Sequence, residues 1–417
     1  MRIKLDLATN FDDELVRQVG ELGSVKSIYG KLREDIVGGG RPNFTLPDPS
    51  KKDLERHIAL AHNYGIQFNY LLNALCTDNR EFIAGTNKKM RAFVRELKGR
   101  GVDYVTVGSP FMLRMVKEQE PGMKVSVSVY NDIDSPEKIA EWQRLGADEL
   151  TLHYSFNRNF KRLERALETA DVDLRIIANN VCLHECLYRT NHANALAHSS
   201  QTGHESGGFF LDYFSMNCGR EKLANPVKLI SADWIRPEDV HLYEELCDRL
   251  GKDNLTIKLT DRSRTTDWLV NVARAYTQRS HEGNLFDILN FIGNKGYAKV
   301  RRGKFVIGAL TGKARTGKML EFQDAVFLTP VHADNKAFEG FMERFLDPNH
   351  NCDEHVCDDQ GWPKSSSEQR PKNLCGYCRH WAEKTLSFVG GEDARQEALK
   401  KCKKSTKDME TGETFSK

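Results

Sequence analysis

Short apolar runs alternate with amphipathic ones over residues 1–280. Ile3–Leu7 predicts a strand and Asp12–Leu22 a helix. Ser24–Tyr29 predicts a second strand, and Gly38–Pro42 then breaks regular structure. In Asp53–Asn63 the residues Leu54, Ile58 and Ala61 fall at helical spacing. Ile66–Leu75 predicts a long strand ending at Cys76, and Asn87–Leu97 a helix. Tyr104–Val107 and the alternating Lys124–Tyr130 predict strands, with a short helix over Pro110–Lys117 between them. Ser135 and Pro136 supply a cap and a first-turn proline for the next helix. Glu149–Leu152 and Val172–Ala178 predict strands flanking a helix at Phe160–Thr169. Leu255–Leu259 predicts a final strand before a helix at Thr265–Thr277.

Such repeated alternation, close to eight strand–helix units, implies a parallel sheet with helices outside. At this length the expected architecture is α/β, a closed TIM-like (β/α)8 barrel. An open doubly wound sheet is the alternative, weakened because no glycine fingerprint follows the first strand. Barrel enzymes collect active groups where strands end. Cys76, His153, Asn179, Cys182 and Lys258 lie at or near such ends.

The pattern divides the chain further. Residues 179–230 form a long polar loop inserted in the barrel. Residues 281–345 read as a small β-rich extension, with glycine and basic residues dense in Gly293–Lys304 and β-like runs at Lys304–Gly308 and Ala325–Leu328. The basic run Lys299–Lys304 reads as a solvated face. Residues 346–399 read as a cysteine-rich metal-binding segment, the small C-terminal appendage to the barrel. From Lys400 to 417 the charged composition predicts a disordered tail.

Composition narrows the class. Of 417 residues, 39% are hydrophobic and 29% charged, with a formal net charge of +2. That balance gives ample material for a core and no global field for nucleic acid or a membrane. The N-terminal segment has no signal-peptide apolar core and no run approaches spanning length, so a cytoplasmic location and no membrane partner are expected. The ten cysteines are then expected to be reduced ligands, nucleophiles or core residues rather than disulfides.

Three cysteines dominate the candidate chemistry. Cys182, Cys186 and Cys218 sit in the 179–230 loop among His184, Glu185, Arg189, His192, His198 and His204. Thiolates are soft ligands, and several in one loop suit an iron–sulfur cluster or zinc. The competing reading is three unrelated buried thiols, which the polar neighbours disfavour. Cys76 is the barrel candidate for a fourth thiolate. Cys247 lies in an amphipathic helix and reads as core. A second group pairs Cys352 with Cys357 and Cys375 with Cys378, with His355 and His380 beside them. Two short-spaced pairs suit zinc or a second cluster. Lys258 and Arg262 frame the end of the last strand and can hold a carboxylate or phosphate. His153 is a further strand-end candidate for substrate binding. There is no GxSxG, P-loop or HExxH pattern.

These residues resemble the collagenase-like peptidase family U-32, including its branch of oxygen-independent ubiquinone and RNA hydroxylation proteins. The resemblance covers roughly residues 1–280 and rests on Asn179–Cys186, on Asn217–Arg220 followed by Lys228–Asp233, and on Ile257–Arg264 followed by Val272–Tyr276. It implies a TIM-like barrel, often with a 4Fe–4S cluster held by four cysteines, and Cys182, Cys186 and Cys218 take ligand positions. This chain departs in a shorter first cysteine spacing, in having no cysteine between Cys186 and Cys218, and in Thr260 and Asp261 after the last strand. The expected function is iron–sulfur redox modification, such as oxygen-independent hydroxylation, of a small-molecule or RNA substrate. An electron donor and a related partner subunit are expected partners. A peptidase and a non-catalytic iron–sulfur scaffold are the alternatives.

Overall fold

The computed structural model describes residues 2–41, 46–202, 213–291, 293–294, 329–347, 349–350, 352–358 and 371–413. Eight parallel strands close into a barrel in the order β1 to β8. They are β1 (Lys4–Ala8), β2 (Val25–Gly30), β3 (Gln67–Leu72), β4 (Tyr104–Val107), β5 (Lys124–Val127), β6 (Glu149–Thr151), β7 (Asp173–Ile177) and β8 (Leu255–Leu259). The closing pair is β1 with β8, in the register Asp6 opposite Lys258. The open-sheet alternative is therefore excluded, and the fold is the TIM-like barrel.

Helices α1 (Asp13–Gly20), α2 (Lys51–Asn63), α3 (Ala84–Gly99), α4 (Pro110–Gln119), α5 (Pro136–Arg144) and α6 (Phe160–Thr169) follow the first six strands. Local chemistry explains their starts. Ser50 and Asp53 form a reciprocal capping box on α2, and Ser135 caps α5 before its first-turn proline. Each helix turns apolar residues such as Leu54, Ile58 and Ala61 of α2 onto the barrel, where they are buried.

The 179–230 segment departs from the expected polar loop. It contains α7 (Arg189–Ser199), α8 (Tyr213–Ala224) and the short α9 (Val227–Ile230). Apolar residues of α7 and α8 form no clear stripe, because small and polar residues, Ser199 on α7 and Asn217 and Lys222 on α8, are buried beside them. Periodicity along the sequence therefore carried no helix signal here. His204 lies outside the described residues.

After α10 (Val240–Leu250), β8 and α11 (Thr266–Gln278), the chain returns over the barrel. The β-like runs expected at Lys304–Gly308 and Ala325–Leu328, and the basic run Lys299–Lys304, lie outside the described residues. The described remainder of the extension holds a two-residue strand β9 (Val331–His332) and the short helix α12 (Glu343–Leu346). Phe338 and Phe341 pack on Trp234, with ring centroids 5.4 Å away in each case. The appendage adds a parallel pair, β10 (Val356–Cys357) with β11 (Leu374–Cys375), then α13 (Tyr377–Thr385) and β12 (Ser387–Phe388).

The expected disordered tail is instead α14 (Gly391–Glu410), a helix packed along α8. Leu399, Cys402 and Thr406 recur at helical spacing and are buried, so the tail carries an apolar stripe that its charged composition hid. Tyr213 of α8 donates to Glu410, and Arg395 donates to the carbonyl of Leu223. No helix among the described residues is long and apolar enough to cross a membrane.

Candidate functional site at the barrel mouth

The barrel interior is polar, unusually for a parallel barrel packed with branched apolar side chains. Arg175 on β7 is fully buried and pairs with Asp6 Oδ2 at 2.5 Å and Glu149 Oε1 at 2.8 Å. It also donates to the hydroxyls of Ser126 and Thr151. Ser27 donates to Asp6, and Thr106 donates to Asn69 across the β3–β4 seam. Burial pushes the Glu149 carboxyl above its usual range, against the pull of Arg175.

Lys258 belongs to the same layer. Its Nζ lies 3.8 Å from Asp6 Oδ2 and 3.5 Å from the centre of the Tyr29 ring. Burial, and then Arg175, lower its pKa to about 7. Above this layer the strand ends carry a second set. Lys31 pairs with Asp35 at 3.0 Å, and Tyr70 donates to the same carboxylate. Arg41 Nε donates to Asp261 at 3.1 Å. Arg262 is 4% exposed, and burial and then the charge of Arg41 lower its pKa. Thr260 does not share this pocket freely, because its backbone N–H and hydroxyl both donate to Asn179 Oδ1. Asn179 thereby ties the end of β7 to the end of β8.

The cysteine segment lies over β7. Cys182 packs against Val129, Tyr154 and Ile177, and its sulfur accepts from Asn180 Nδ2 at 3.1 Å. Burial pushes the Cys186 thiol up to about 11, reinforced by Cys218 and Cys182. Lys222 stands one turn after Cys218 on α8, on the same side of the helix. Burial opposes its charge, but the neighbouring Cys218, Cys182 and Cys186 more than offset this and raise its pKa. The structure thus brings Cys182, Cys186 and Cys218 into one electrostatic group. Among the described residues no three His, Cys, Asp or Glu side chains converge as ligands of one metal ion. A tetrahedral zinc needs its sulfurs within about 4 Å of one another. A multi-iron cluster spreads its thiolates more widely, and this soft donor set suits it.

Cys76 lies after β3, where its sulfur accepts from Asp78 N and its carbonyl accepts from Gln201. A further thiol, Cys402 of α14, lies on the helix that packs along α8. It is fully buried, and burial, Arg220 and Cys218 set its environment, with the thiol raised to about 11. Reading residues 400–417 as disordered hid this position.

In the appendage, Cys357 and Cys375 are register partners in the β10–β11 pair. Cys378 follows within the first turn of α13. Burial pushes the Cys352 thiol up to about 12, with Asp233 and Cys375 adding to the rise. Cys352 therefore joins this group to the barrel, since Asp233 also pairs with His184 of the cysteine segment at 3.2 Å. Asp353 accepts from Asn159 and Arg162 on the β6 side. A cleft of about 780 Å³ runs between these parts, lined by Asp132, His153, Arg162, Cys186, Arg189 and Asp353 among others.

His153 opens onto this cleft rather than onto Lys258 and Arg262. Its Nδ1 faces Ser155 Oγ at 2.8 Å, and its Nε2 lies 4.0 Å from Asp132. Burial and then Arg189 lower its pKa to about 4, so it is neutral at pH 7. Its neighbour Arg158 is structural: it donates to the carbonyls of Ile230 and Trp234 and stacks on Trp234. Cys247 is buried core, as its amphipathic helix suggested. Sequence reading missed Asp6, Glu149 and Arg175. For Asp6 and Arg175 the signal was a charged residue between apolar neighbours within a strand, whereas Glu149 follows Asp148 and carries no such signal.

Residues 42–174 match the model of peptidase family U32. An uncharacterized protease of Methanocaldococcus jannaschii is 27% identical over 282 residues, 65% of this chain and 81% of that protein. The tRNA hydroxylation protein P of Escherichia coli is 26% identical over 149 residues, 34% of this chain and 31% of that protein. The match thus spans about a third of the hydroxylation protein. A solved U32 peptidase aligns at 20% identity with a TM-score of 0.45, over 63% of this chain and 94% of that one. In sequence, then, this chain resembles peptidase family U32, with the family pattern over residues 42–174, from the loop after β2 into β7.

Proposed function

We propose that this barrel carries out iron–sulfur-dependent redox modification, oxygen-independent hydroxylation or closely related chemistry, on a small-molecule or RNA substrate. The observation that carries the reading is the grouping of Cys182, Cys186 and Cys218 with Lys222 at the rim of a barrel whose interior is charged. The similarity to a tRNA hydroxylation protein supports it. Cys182, Cys186 and Cys218 would hold a 4Fe–4S cluster, which when bound supplies electron transfer and an iron site for oxygen. Lys222 holds a positive charge beside the thiolates and stabilises them. Asn179 fixes the β7 and β8 ends between which the substrate enters. The cleft beside Cys186 offers a route for an electron donor or a partner subunit. In the appendage, Cys352, Cys357, Cys375 and Cys378 would hold zinc or a second cluster, as a structural site. Mass spectrometry of RNA nucleosides and quinones from cells lacking the gene tests the function. Accumulation of a species one oxygen lighter, reversed by the wild-type gene and not by Cys186→Ser, is expected. Unchanged profiles in both pools would refute it.

Peptidase activity is the second reading, favoured by the contact of His153 with Ser155 and the approach of Asp132. Ser155 Oγ also accepts from Arg162, which lowers its value as a nucleophile. Gelatin cleavage abolished by Ser155→Ala would support it.

A further inference from the structure

Basic and acidic residues nearly balance over the whole chain, at 61 and 59, but not along α3. Between positions 84 and 100 stand Lys88, Lys89, Arg91, Arg95, Lys98 and Arg100, against Glu96 alone. Glu96 is spent on Lys51 at 2.7 Å and on Arg100 at 3.0 Å. Arg91 reaches Glu118 of α4 at 3.1 Å. Lys88, Lys89, Arg95 and Lys98 are exposed and have no ion pair among the described residues. Lys88, Arg91, Arg95 and Lys98 recur at spacings of three, four and three, so they form one row down the helix. Like charges at these spacings repel and weaken an isolated helix, which a solvated helix avoids by mixing signs. The row runs for roughly 15 Å at 1.5 Å per residue.

An exposed aromatic ring stands at the head of this row. Asp78 and Asn79, with φ of 58° and 56°, turn the chain after Cys76, and one 3-10 turn, Arg80–Phe82, then leads into α3. Phe82 is 67% exposed, the most exposed aromatic side chain among the described residues, and Ile83 beside it is 57% exposed. The ring is held in place: its centroid lies 5.3 Å from that of Phe111 on α4, in an edge-to-face contact. Arg80 donates to the carbonyl of Thr202, and Asn87 Nδ2 donates to the carbonyl of Glu81. Asn87 Oδ1 accepts from Arg91 Nε, so the turn and the cation row are fixed to one another. Arg114, one turn after Phe111, adds an exposed cation from α4.

The combination narrows the ligand. A row of cations suits a row of phosphates, and a fixed π face suits an unstacked base. A duplex keeps its bases stacked inside and offers nothing to the ring. An anionic membrane surface calls for apolar side chains free to insert and for cations spread around them. Here the ring leans on Phe111 and the cations follow a single line. We propose that Phe82 and the Lys88–Lys98 face of α3 form a docking surface for a single-stranded polynucleotide, with a base stacked on Phe82 and the backbone tracking the cation row. None of these residues belongs to the cysteine group or to the charged interior, so the inference goes beyond the proposed chemistry and needs no cluster. RNA and DNA strands share the phosphates and the π faces, so both are expected to bind.

Fluorescence anisotropy on the full chain tests it. The probes are one labelled mixed sequence as single-stranded RNA, single-stranded DNA and duplex RNA, each over a range of salt. Sedimentation with vesicles of phosphatidylglycerol and phosphatidylcholine tests the membrane alternative. Both single strands should bind with similar affinity, and the duplex more weakly. Lys88→Ala combined with Arg95→Ala should weaken binding and reduce the slope of log affinity against log salt by about 1.4, at about 0.7 per lost phosphate contact. Phe82→Leu should weaken binding roughly tenfold at an unchanged slope, the loss of one stacked base, and Phe82→Tyr should keep it. The altered side chains are exposed, so melting temperatures should stay at the wild-type value, which separates lost binding from lost folding. No strand binding by the wild type, equal affinity for the duplex, binding of RNA without DNA, or undiminished affinity in Phe82→Leu and in the double alanine variant would overturn the proposal. Vesicle binding that Phe82→Leu abolishes, without strand binding, would overturn it in favour of a membrane.

Discussion

Replacing Arg175 by methionine tests the charged interior directly. The side chain is fully buried, with Asp6 at 2.5 Å and Glu149 at 2.8 Å. Its removal leaves two buried carboxylates and takes a donor from Ser126 and Thr151. Breaking a buried pair by deleting one partner costs about 3–5 kcal/mol. Two carboxylates are stranded here, but Lys258 stays 3.8 Å from Asp6 and Lys26 stays 3.9 Å from Glu149. Those residual pairings keep the expected loss within about 3–5 kcal/mol rather than above it. At roughly 2–4 °C per kcal/mol for a large domain, the melting temperature should fall by about 6–20 °C. The sign of the pH dependence follows from Glu149, whose carboxyl burial already raises in the wild type. A carboxyl raised in the folded state contributes stability below its unfolded value and loses it as pH rises through the folded one. Without Arg175 the raise grows, so the deficit of the variant should widen as pH increases from acid toward neutrality. Urea unfolding at several pH values, followed by circular dichroism, measures both effects. Adding Asp6→Asn and Glu149→Gln should recover much of the loss, because the stranded charges go with it. A loss under about 1 kcal/mol, or a deficit independent of pH, would refute the view that this layer is held by compensated charge.

Three further outcomes are expected. Lys258 titrates at about 7 when folded, against about 10.4 unfolded, so its contribution to stability should rise with pH across that window. The difference between wild type and Lys258→Met should show that rise, and parallel curves would contradict it. Deleting residues 391–417 removes the buried Leu399 and Cys402 from the face of α8. Faster hydrogen exchange in α8, with β1–β8 unchanged, is the expected result, and unchanged exchange in α8 would count against a packed tail helix. Cys375→Ser, opposite Cys357, should raise protease sensitivity between residues 352 and 385 and lower the metal content of the appendage, while equal digestion and equal metal would oppose it.

The barrel was legible because its strands and helices keep distinct periods from β1 to β8. The strands carry buried apolar residues such as Leu5, Leu7, Ile176 and Ile257, and the helices α1 to α6 carry an apolar stripe toward them. The segment of α7 and α8 was not legible, since polar residues such as Ser199, Asn217 and Lys222 are buried there and blur the apolar stripe. The α14 tail failed for another reason. Its lysines and glutamates dominate the composition, while Leu399, Cys402 and Thr406 carry the fold. Among site residues, Lys258 and Arg262 stood out as strand-end cations, but only the structure separates them. One is neutralised by Asp6 across the β1–β8 seam, a pairing between residues far apart in the chain. The other has no such partner among the described residues. His153 was readable as a strand-end histidine, yet its place beside Cys186, on the cleft rather than at Arg262, depends on how the cysteine segment folds back.

The central claim is that Cys182, Cys186 and Cys218 hold an iron–sulfur cluster. Iron, acid-labile sulfide and zinc, measured in anaerobically purified wild type and in Cys186→Ser and Cys218→Ser, test it most directly. The account predicts iron and sulfide in equal amounts, about four of each for one cubane, with a visible absorption band that both variants lose. Iron-free wild-type protein that carries zinc removed by either substitution would contradict it, as would iron retained in full by both variants.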